Sequence, residues 1–315
     1  MNNVHTILPE DVEQIIGEPL PDFLRDRCRS ALLQYQSLTP EERDGYILNV
    51  VQDLLQRDMS TAGKDRQSDW ERGWQENLDL VKRDPKRLAL IPKYYGKHTF
   101  SRWKQQIIRP VSPDFDYHLL ALFVDWAMYS YGRSAKAIYE FGCGPAYHLL
   151  RARGINATAR LIGLDWTTTS QKIIQHVADA GIDSNIEGRQ FNFFEPDESL
   201  EIQSGSCIYT VAALEQVADQ FEPFLQFLIR KQPDICIHFE PIEELLDEHS
   251  LIDGLAILYF RKRNYLHGFL TRLRELEAQG SITIIRQQRI YTGSYYVEGH
   301  SLVVWKPNKY LREGQ

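Results

Sequence analysis

The run Ala137-Ile138-Tyr139-Glu140-Phe141-Gly142-Cys143-Gly144-Pro145-Ala146 constrains this chain more than any other segment. Five residues of strand-forming character stop at two glycines, one residue apart. A turn without Cβ atoms lets a ligand come close to the backbone. A helix opening directly after the turn aims its free N–H groups at that ligand. Strand, glycine turn and helix in this order predict an α/β protein with a ligand crevice at the end of the first strand.

The downstream texture agrees, because short apolar runs alternate with helical segments as βαβ units do. Strands are predicted at 136–141, 160–165, 187–193, 206–212, 234–239, 281–291 and 300–306. Helices are predicted near 146–153, 168–180, 219–231 and 263–279. Upstream, Asp22 to Gln36 reads as helix, and Thr39-Pro40-Glu41-Glu42 opens another with Thr as N-cap and Pro at the first helical position. Ser60 to Asp69 reads as a loop, Trp70 to Arg83 as a helix, and Asp116 to Tyr131 as a longer one. The predicted organisation is a helical N-terminal lobe over 1–110 and a ligand-binding domain over 111–315.

Two residues narrow the ligand. A dinucleotide fingerprint starting at Gly142 needs a third glycine at 147, where Tyr147 stands. Glu140, two residues before Gly142, would repel a pyrophosphate and suits a cationic head. The stretch Glu140-Phe141-Gly142-Cys143-Gly144-Pro145 resembles motif I of the class I, Rossmann-like S-adenosylmethionine-dependent methyltransferases, with Ala146 at the relaxed third glycine. That resemblance implies a seven-stranded, mostly parallel sheet with helices on both faces, and S-adenosylmethionine as cofactor.

It also implies site residues. Asp165, 21 positions after Gly144, ends the second strand, where the family's acid accepts from both ribose hydroxyls. On its own, Asp165 could equally cap the next helix. Trp166 would lie against adenine, and Asn192 beside Phe193 would meet the adenine amino group. Val211-Ala212-Ala213-Leu214-Glu215-Gln216-Val217 resembles the stretch whose backbone lines the methionine end, which brings in Ala212. Tyr139, Gly142, Cys143 and Gly144 complete the expected cofactor contacts.

The acceptor side is less marked. His238 and Glu240 share a face at the end of the fifth strand and are candidate bases or substrate contacts. They could equally be a polar strand terminus, with Glu240 capping a helix. His267, which opens the following helix, is a second candidate base. Lys93-Tyr94-Tyr95-Gly96-Lys97-His98, with Arg102 and Trp103, could form a lid over the cofactor, or an ordinary aromatic linker. The fourth strand lacks the Asn/Asp-Pro-Pro-aromatic signature of enzymes that methylate nucleobase amino groups, and no Pro-Cys pair is present.

Composition bears on partners. With 36 basic and 43 acidic residues, a net charge of -7 disfavours general affinity for nucleic acid. A small-molecule acceptor, a sugar or specialised metabolite methylated on O or N, is expected. No metal-ligand spacing stands out, and no membrane-length apolar run is present. The acidic start is unlike a signal peptide, and the four cysteines form no CxxC pair, so a cytoplasmic protein is expected. The helical N-terminus is compatible with a homodimer. Two other readings remain open: an inactive cofactor-fold module acting through protein partners, and an NAD-dependent oxidoreductase, against which Tyr147 and Glu140 count.

Overall fold

The computed structural model describes residues 4–84 and 87–309. The N-terminal part runs β1 (Val4–Thr6), α1 (Pro9–Ile16), α2 (Asp22–Ser30), β2 (Gln34–Ser37), α3 (Pro40–Gln56), α4 (Gln67–Arg83), β3 (Ser101–Trp103), β4 (Gln106–Pro110) and α5 (Phe115–Ala127). Next come β5 (Ala137–Phe141), α6 (Tyr147–Arg153), β6 (Arg160–Asp165), α7 (Thr168–Asp179), β7 (Ile186–Gln190), β8 (Ser206–Val211), α8 (Glu222–Lys231) and β9 (Ile235–Pro241). The chain then continues through α9 (Leu251–Arg263), α10 (Phe269–Ala278), β10 (Ile282–Thr292) and β11 (His300–Pro307).

All the strands join one sheet, in the order β1-β2-β4-β3-β10-β11-β9-β8-β5-β6-β7. From β7 to β9 the neighbours are parallel, whereas β11 runs antiparallel to both β9 and β10. Strand order reverses between β5 and β8, and this is where an open α/β sheet leaves a crevice beyond its carboxyl ends.

The seven-strand expectation is corrected to eleven. The seven predicted strands form, and the N-terminal part adds four short antiparallel ones, joined to β10 through the single pair Thr292↔Trp103. The N-terminal part is therefore not purely helical. The helix predicted to Gln36 stops at Ser30, and Gln34-Tyr35-Gln36-Ser37 pairs with β4 instead. That stretch has no apolar alternation, so only its partner strand makes it extended. The helix predicted over 263–279 starts later, at Phe269, behind the unpredicted α9.

Sheet residues alternate between two apolar layers. Ile138, Leu161, Ile237 and Phe239 face one, and Ala137, Tyr139, Phe141, Ile162 and Leu164 face the other. The first layer also holds Val12, Leu24, Leu78 and Val81, so the N-terminal helices and the parallel strands share one core. The α3 start matches its sequence signature: the Glu42 N–H donates to Thr39 Oγ1 and the Thr39 N–H to the Glu42 carboxylate. All four cysteines are buried and unpaired. Among the described residues, no helix is long and apolar enough to cross a membrane.

A buried ion cluster ties the added strands to the rest. Arg289 of β10 donates to both oxygens of Asp253 on α9, at 2.5 and 2.6 Å, and to Glu298 at 3.2 Å. Glu298 also accepts from the Gln105 N–H in the β3–β4 turn. Both carboxylates are fully buried. Arg289→Leu would strand two buried anions, and chemical denaturation should show stability lower by about 3–5 kcal/mol.

Candidate functional site

The glycine turn after β5 is shaped by its neighbours. The N–H groups of Gly142 and Cys143 both donate to the Leu164 carbonyl at the end of β6, at 2.7 and 3.0 Å. Gly142 has φ +71°, and a Cβ there would come within 2.3 Å of the Ala213 methyl. Gly144 has φ +49°, and a Cβ there would meet the Trp74 ring at 2.8 Å. Both positions need glycine, for conformation and for space. Ala146 (φ +61°) and Ala212 (φ +50°) are also left-handed without being glycine. Such strain tends to cluster at functional sites.

Asp165 holds the turn from the next strand. Its Oδ2 accepts from the Gly144 N–H at 2.9 Å. Its Oδ1 accepts from the N–H and hydroxyl of Thr167, at 2.9 and 2.7 Å. Asp165 thus fixes both the glycine turn and the entry to α7, while its oxygens also face the crevice.

A cavity open to solvent lies over this turn. Glu140, Gly142, Cys143, Gly144, Asp165, Trp166, Phe193 and Ala212, all expected from the sequence as cofactor contacts, line it together. Tyr139 and Asn192 are not brought there. Tyr139 faces the opposite layer and its hydroxyl accepts from the Gln203 N–H. The Asn192 side chain turns back to accept from the Phe194 N–H at 3.0 Å, and Phe194 reaches the cavity in its place.

The α4 part of the roof was not legible in the sequence. Trp70 and Trp74 of α4, stacked with ring centroids 5.4 Å apart, cover the cavity with Pro92, Tyr94 and Tyr95. Between the two indoles, Glu71 accepts from the N–H groups of Thr168 and Thr169, both at 2.9 Å. A carboxylate on the free N–H groups at a helix start is a favourable cap, and here it pins α4 over the cavity. Of the predicted 93–103 lid, Tyr94 and Tyr95 do cover the cavity. Arg102 and Trp103 instead lie buried in β3, with Arg102 donating to the Tyr46 hydroxyl and the Ile252 carbonyl.

The candidate catalytic residues are placed elsewhere. His238 is fully buried, shares a hydrogen bond with Thr210, and packs against Phe269 and Trp305. Burial pushes its imidazole down to about 3. His267 is exposed at the start of α10 and lines neither of the two cavities described here. Glu240 accepts from the N–H groups of Ala213 and Glu215, at 3.0 and 3.2 Å, and so shapes the turn after β8. Strand alternation does place His238 and Glu240 on one face, but Phe269 of α10 covers His238 and the turn after β8 takes up Glu240.

A second, wider space of about 1900 Å³ adjoins the first, and Ala212, Trp70, Trp74, Tyr94 and Tyr95 line both. Glu215, three residues past Ala212, lines only the second. The sequence signal for Glu215 lay inside the Val211–Val217 stretch, which was read for its backbone alone.

The electrostatics of the first cavity are distinctive. Glu140 is 2% exposed and accepts from the Tyr209 hydroxyl at 2.8 Å. Burial pushes its carboxyl up to about 8 and also raises Asp165. Among the described residues, neither acid has a Lys or Arg within ion-pair distance. The site therefore holds two buried acids and no cation, and a positive ligand would favour their ionised forms.

No protein-family profile matches the chain, and no curated protein matches it. Solved structures overlap with it in part. A geranyl diphosphate methyltransferase in complex with GPP and sinefungin is 13% identical, over 77% of this chain and 99% of that one, with a TM-score of 0.46. Magnesium protoporphyrin IX methyltransferase from Synechocystis PCC 6803 with bound SAH is 12% identical, over 61% and 83%, with a TM-score of 0.45. A structure described as a pericyclic reaction enzyme is 18% identical, over 56% and 44%, with a TM-score of 0.41, so the chain spans less than half of that protein. These overlaps are partial, and the chemistry has to be read from the site's own residues.

Glu140 gives a pH test. Unfolded, its carboxyl loses a proton near the ordinary 4.5; folded, near 8. Between those values the folded state holds the extra proton, so stability falls as pH rises. Glu215 (about 8) and Glu240 (about 7) act in the same direction. The thermal midpoint should fall from pH 5 to 8.5, and Glu140→Gln should exceed wild type by a margin that grows over that range.

Proposed function

We propose that the chain is a class I S-adenosylmethionine-dependent methyltransferase that moves a methyl group to an oxygen or nitrogen atom of a small molecule. The observation that carries this reading is the pair of buried carboxylates, Glu140 and Asp165, flanking a glycine turn with no cation of their own. A pyrophosphate would add negative charge beside these acids; a ligand with an ammonium group and a positive sulfur would favour their ionised forms. S-adenosylmethionine, when bound, supplies a methyl group activated by its positive sulfur.

The residues present fit such a ligand. Asp165 offers its remaining acceptor capacity to ribose hydroxyls while it holds Gly144. Trp166, Phe193 and Phe194 offer apolar faces to an adenine ring. Glu140 offers a carboxylate to an ammonium group. Trp70, Trp74 and Tyr94 add aromatic rings that would shield a cation from solvent on the roof side. The second space, reached past Ala212, would take the acceptor, so that transfer is governed by alignment across that junction.

One observation favours a second reading. The Trp74 ring packs directly on Gly144, where a ligand must approach. A module that keeps the fold but acts through its N-terminal helices would tolerate that contact, and it would bind the cofactor without turnover or not at all.

Calorimetry with S-adenosylhomocysteine should show one site per chain. Asp165→Asn, which turns an acceptor oxygen into a donor facing Gly144 or Thr167, should weaken binding by about tenfold or more, or about 1.4 kcal/mol. No binding to the wild type would sink the methyltransferase reading.

A further inference from the structure

The walls of the second space are chemically specific. Six tyrosines line it: Tyr94, Tyr95, Tyr259, Tyr265, Tyr295 and Tyr296. Tyr259 and Tyr296 stack face to face, with centroids 4.6 Å apart and planes within 4°. Tyr94 and Tyr95 lie 4.7 Å apart and also line the first cavity. Walls of this kind present flat apolar faces with hydroxyl tips. They suit a planar, partly polar guest better than an aliphatic one.

Two charged groups, Glu215 and Arg263, also line this space. Glu215 sits on the short 3-10 turn Leu214–Val217 after β8, held there by the Glu240 carboxylate on its own N–H. One of its oxygens accepts from the Gln216 side chain, and the other accepts nothing among the described residues. Arg263, at the end of α9, lies over the rings of Tyr259 and Tyr265 and donates to the Tyr259 hydroxyl and the Ser60 carbonyl. It has no carboxylate within ion-pair distance among the described residues. Both line the second space and neither lines the first.

We propose that this space binds an extended phenol, stacked between the tyrosine walls, and that Glu215 is the catalytic base that takes the proton from its hydroxyl, with Arg263 facing the oxygen that becomes negative. This inference rests on the methyltransferase reading. In the step, the phenol O–H bond breaks and its proton passes to the Glu215 carboxylate. The oxygen forms a bond to the methyl carbon. The methyl–sulfur bond breaks, and its electron pair stays on sulfur, which becomes a neutral thioether. No oxidant or reductant is needed.

Glu215 suits the step better than its neighbours do. Burial and the Glu240 charge push its carboxyl up to about 8, closer to a phenol than an ordinary carboxylate. Burial pushes His300 down to about 4, which makes it a weak base. Asp116, also in this space, is already bound by the Ser101 hydroxyl. The charged and titratable groups facing Glu215 are Glu240 from β9, Arg263 and Tyr259 from α9, Tyr265 beyond it, and Tyr94 and Tyr95 from the roof.

The test uses the full chain and begins with S-adenosylhomocysteine binding. No binding there fails the methyltransferase reading and takes this inference with it. To the loaded protein, quercetin and 3,4-dihydroxybenzoate are then added as phenolic probes, with spermidine and glucosamine as amine and sugar probes. Quenching of tryptophan fluorescence and calorimetry should show saturable binding of at least one phenol at tenfold or more above either of the others. With S-adenosylmethionine, methyl ether formation should rise with pH to a plateau above about 8. Glu215→Gln should bind the phenol within threefold of wild type but lose 100-fold or more in transfer rate, along with the pH-dependent rise. Arg263→Gln should weaken phenol binding without changing S-adenosylhomocysteine affinity. Binding of S-adenosylhomocysteine but of neither phenol overturns the inference, as does methylation of the amine or sugar in preference. Full transfer by Glu215→Gln would remove Glu215 as the base.

Discussion

The hydrogen bond from the Gly144 N–H to Asp165 Oδ2 joins the ends of two adjacent parallel strands. It fixes the glycine turn in the one conformation that leaves the crevice open, and through the other oxygen of Asp165 it fixes the entry to α7. Much else is arranged around it. Trp74 lies against Gly144, and Glu71, one turn earlier on α4, holds the N–H groups that Asp165 leaves free at the start of α7. The roof of the cavity is therefore referenced to the same two strand ends as its floor. A single carboxylate serves the turn, the helix and the crevice, which is why Asp165 reads equally well as a capping residue and as a ligand contact.

The second organising feature is a set of titratable acids kept out of water. Glu140, Asp165, Glu215 and Glu240 all sit near the carboxyl ends of β5, β6, β8 and β9. Each is hydrogen-bonded to a backbone or side-chain donor, and burial raises each carboxyl. A protein designed only for stability would not collect such groups at one edge of a sheet, because each favours the protonated form and weakens the fold as pH rises. Their placement is what a cationic ligand on one side and a proton-donating acceptor on the other would make use of.

The candidate bases show where sequence reasoning meets its limit. Alternation along β9 does put His238 and Glu240 on one face. It cannot say that α10 and Trp305 cover His238, because the covering elements come from later in the chain. Glu240 still matters to the site at one remove: its two acceptor bonds hold the turn that carries Ala212 and Glu215. Asn192 has a similar history. Its position at the end of the third strand was legible, but its side chain satisfies the Phe194 N–H locally, as Asn commonly does in turns.

The sequence by itself determined the parallel half of the molecule. Apolar runs of strand length, two glycines in a tight turn, and an acid at the end of each of the first two strands allow few alternatives, because local sterics and burial act within a few residues of one another. Glu140, Gly142, Gly144 and Asp165 stand out in the residues themselves, the family resemblance adds Cys143, Trp166, Phe193 and Ala212, and all eight line the first cavity. Only the tertiary structure decided the rest. The four N-terminal strands carry almost no apolar alternation and become strands by pairing with one another and with β10. The tryptophan roof, the six tyrosines and the placing of Glu215 and Arg263 in one space bring together residues far apart in sequence. Periodicity records which way a side chain faces within its own element; it holds no record of what another element will place opposite.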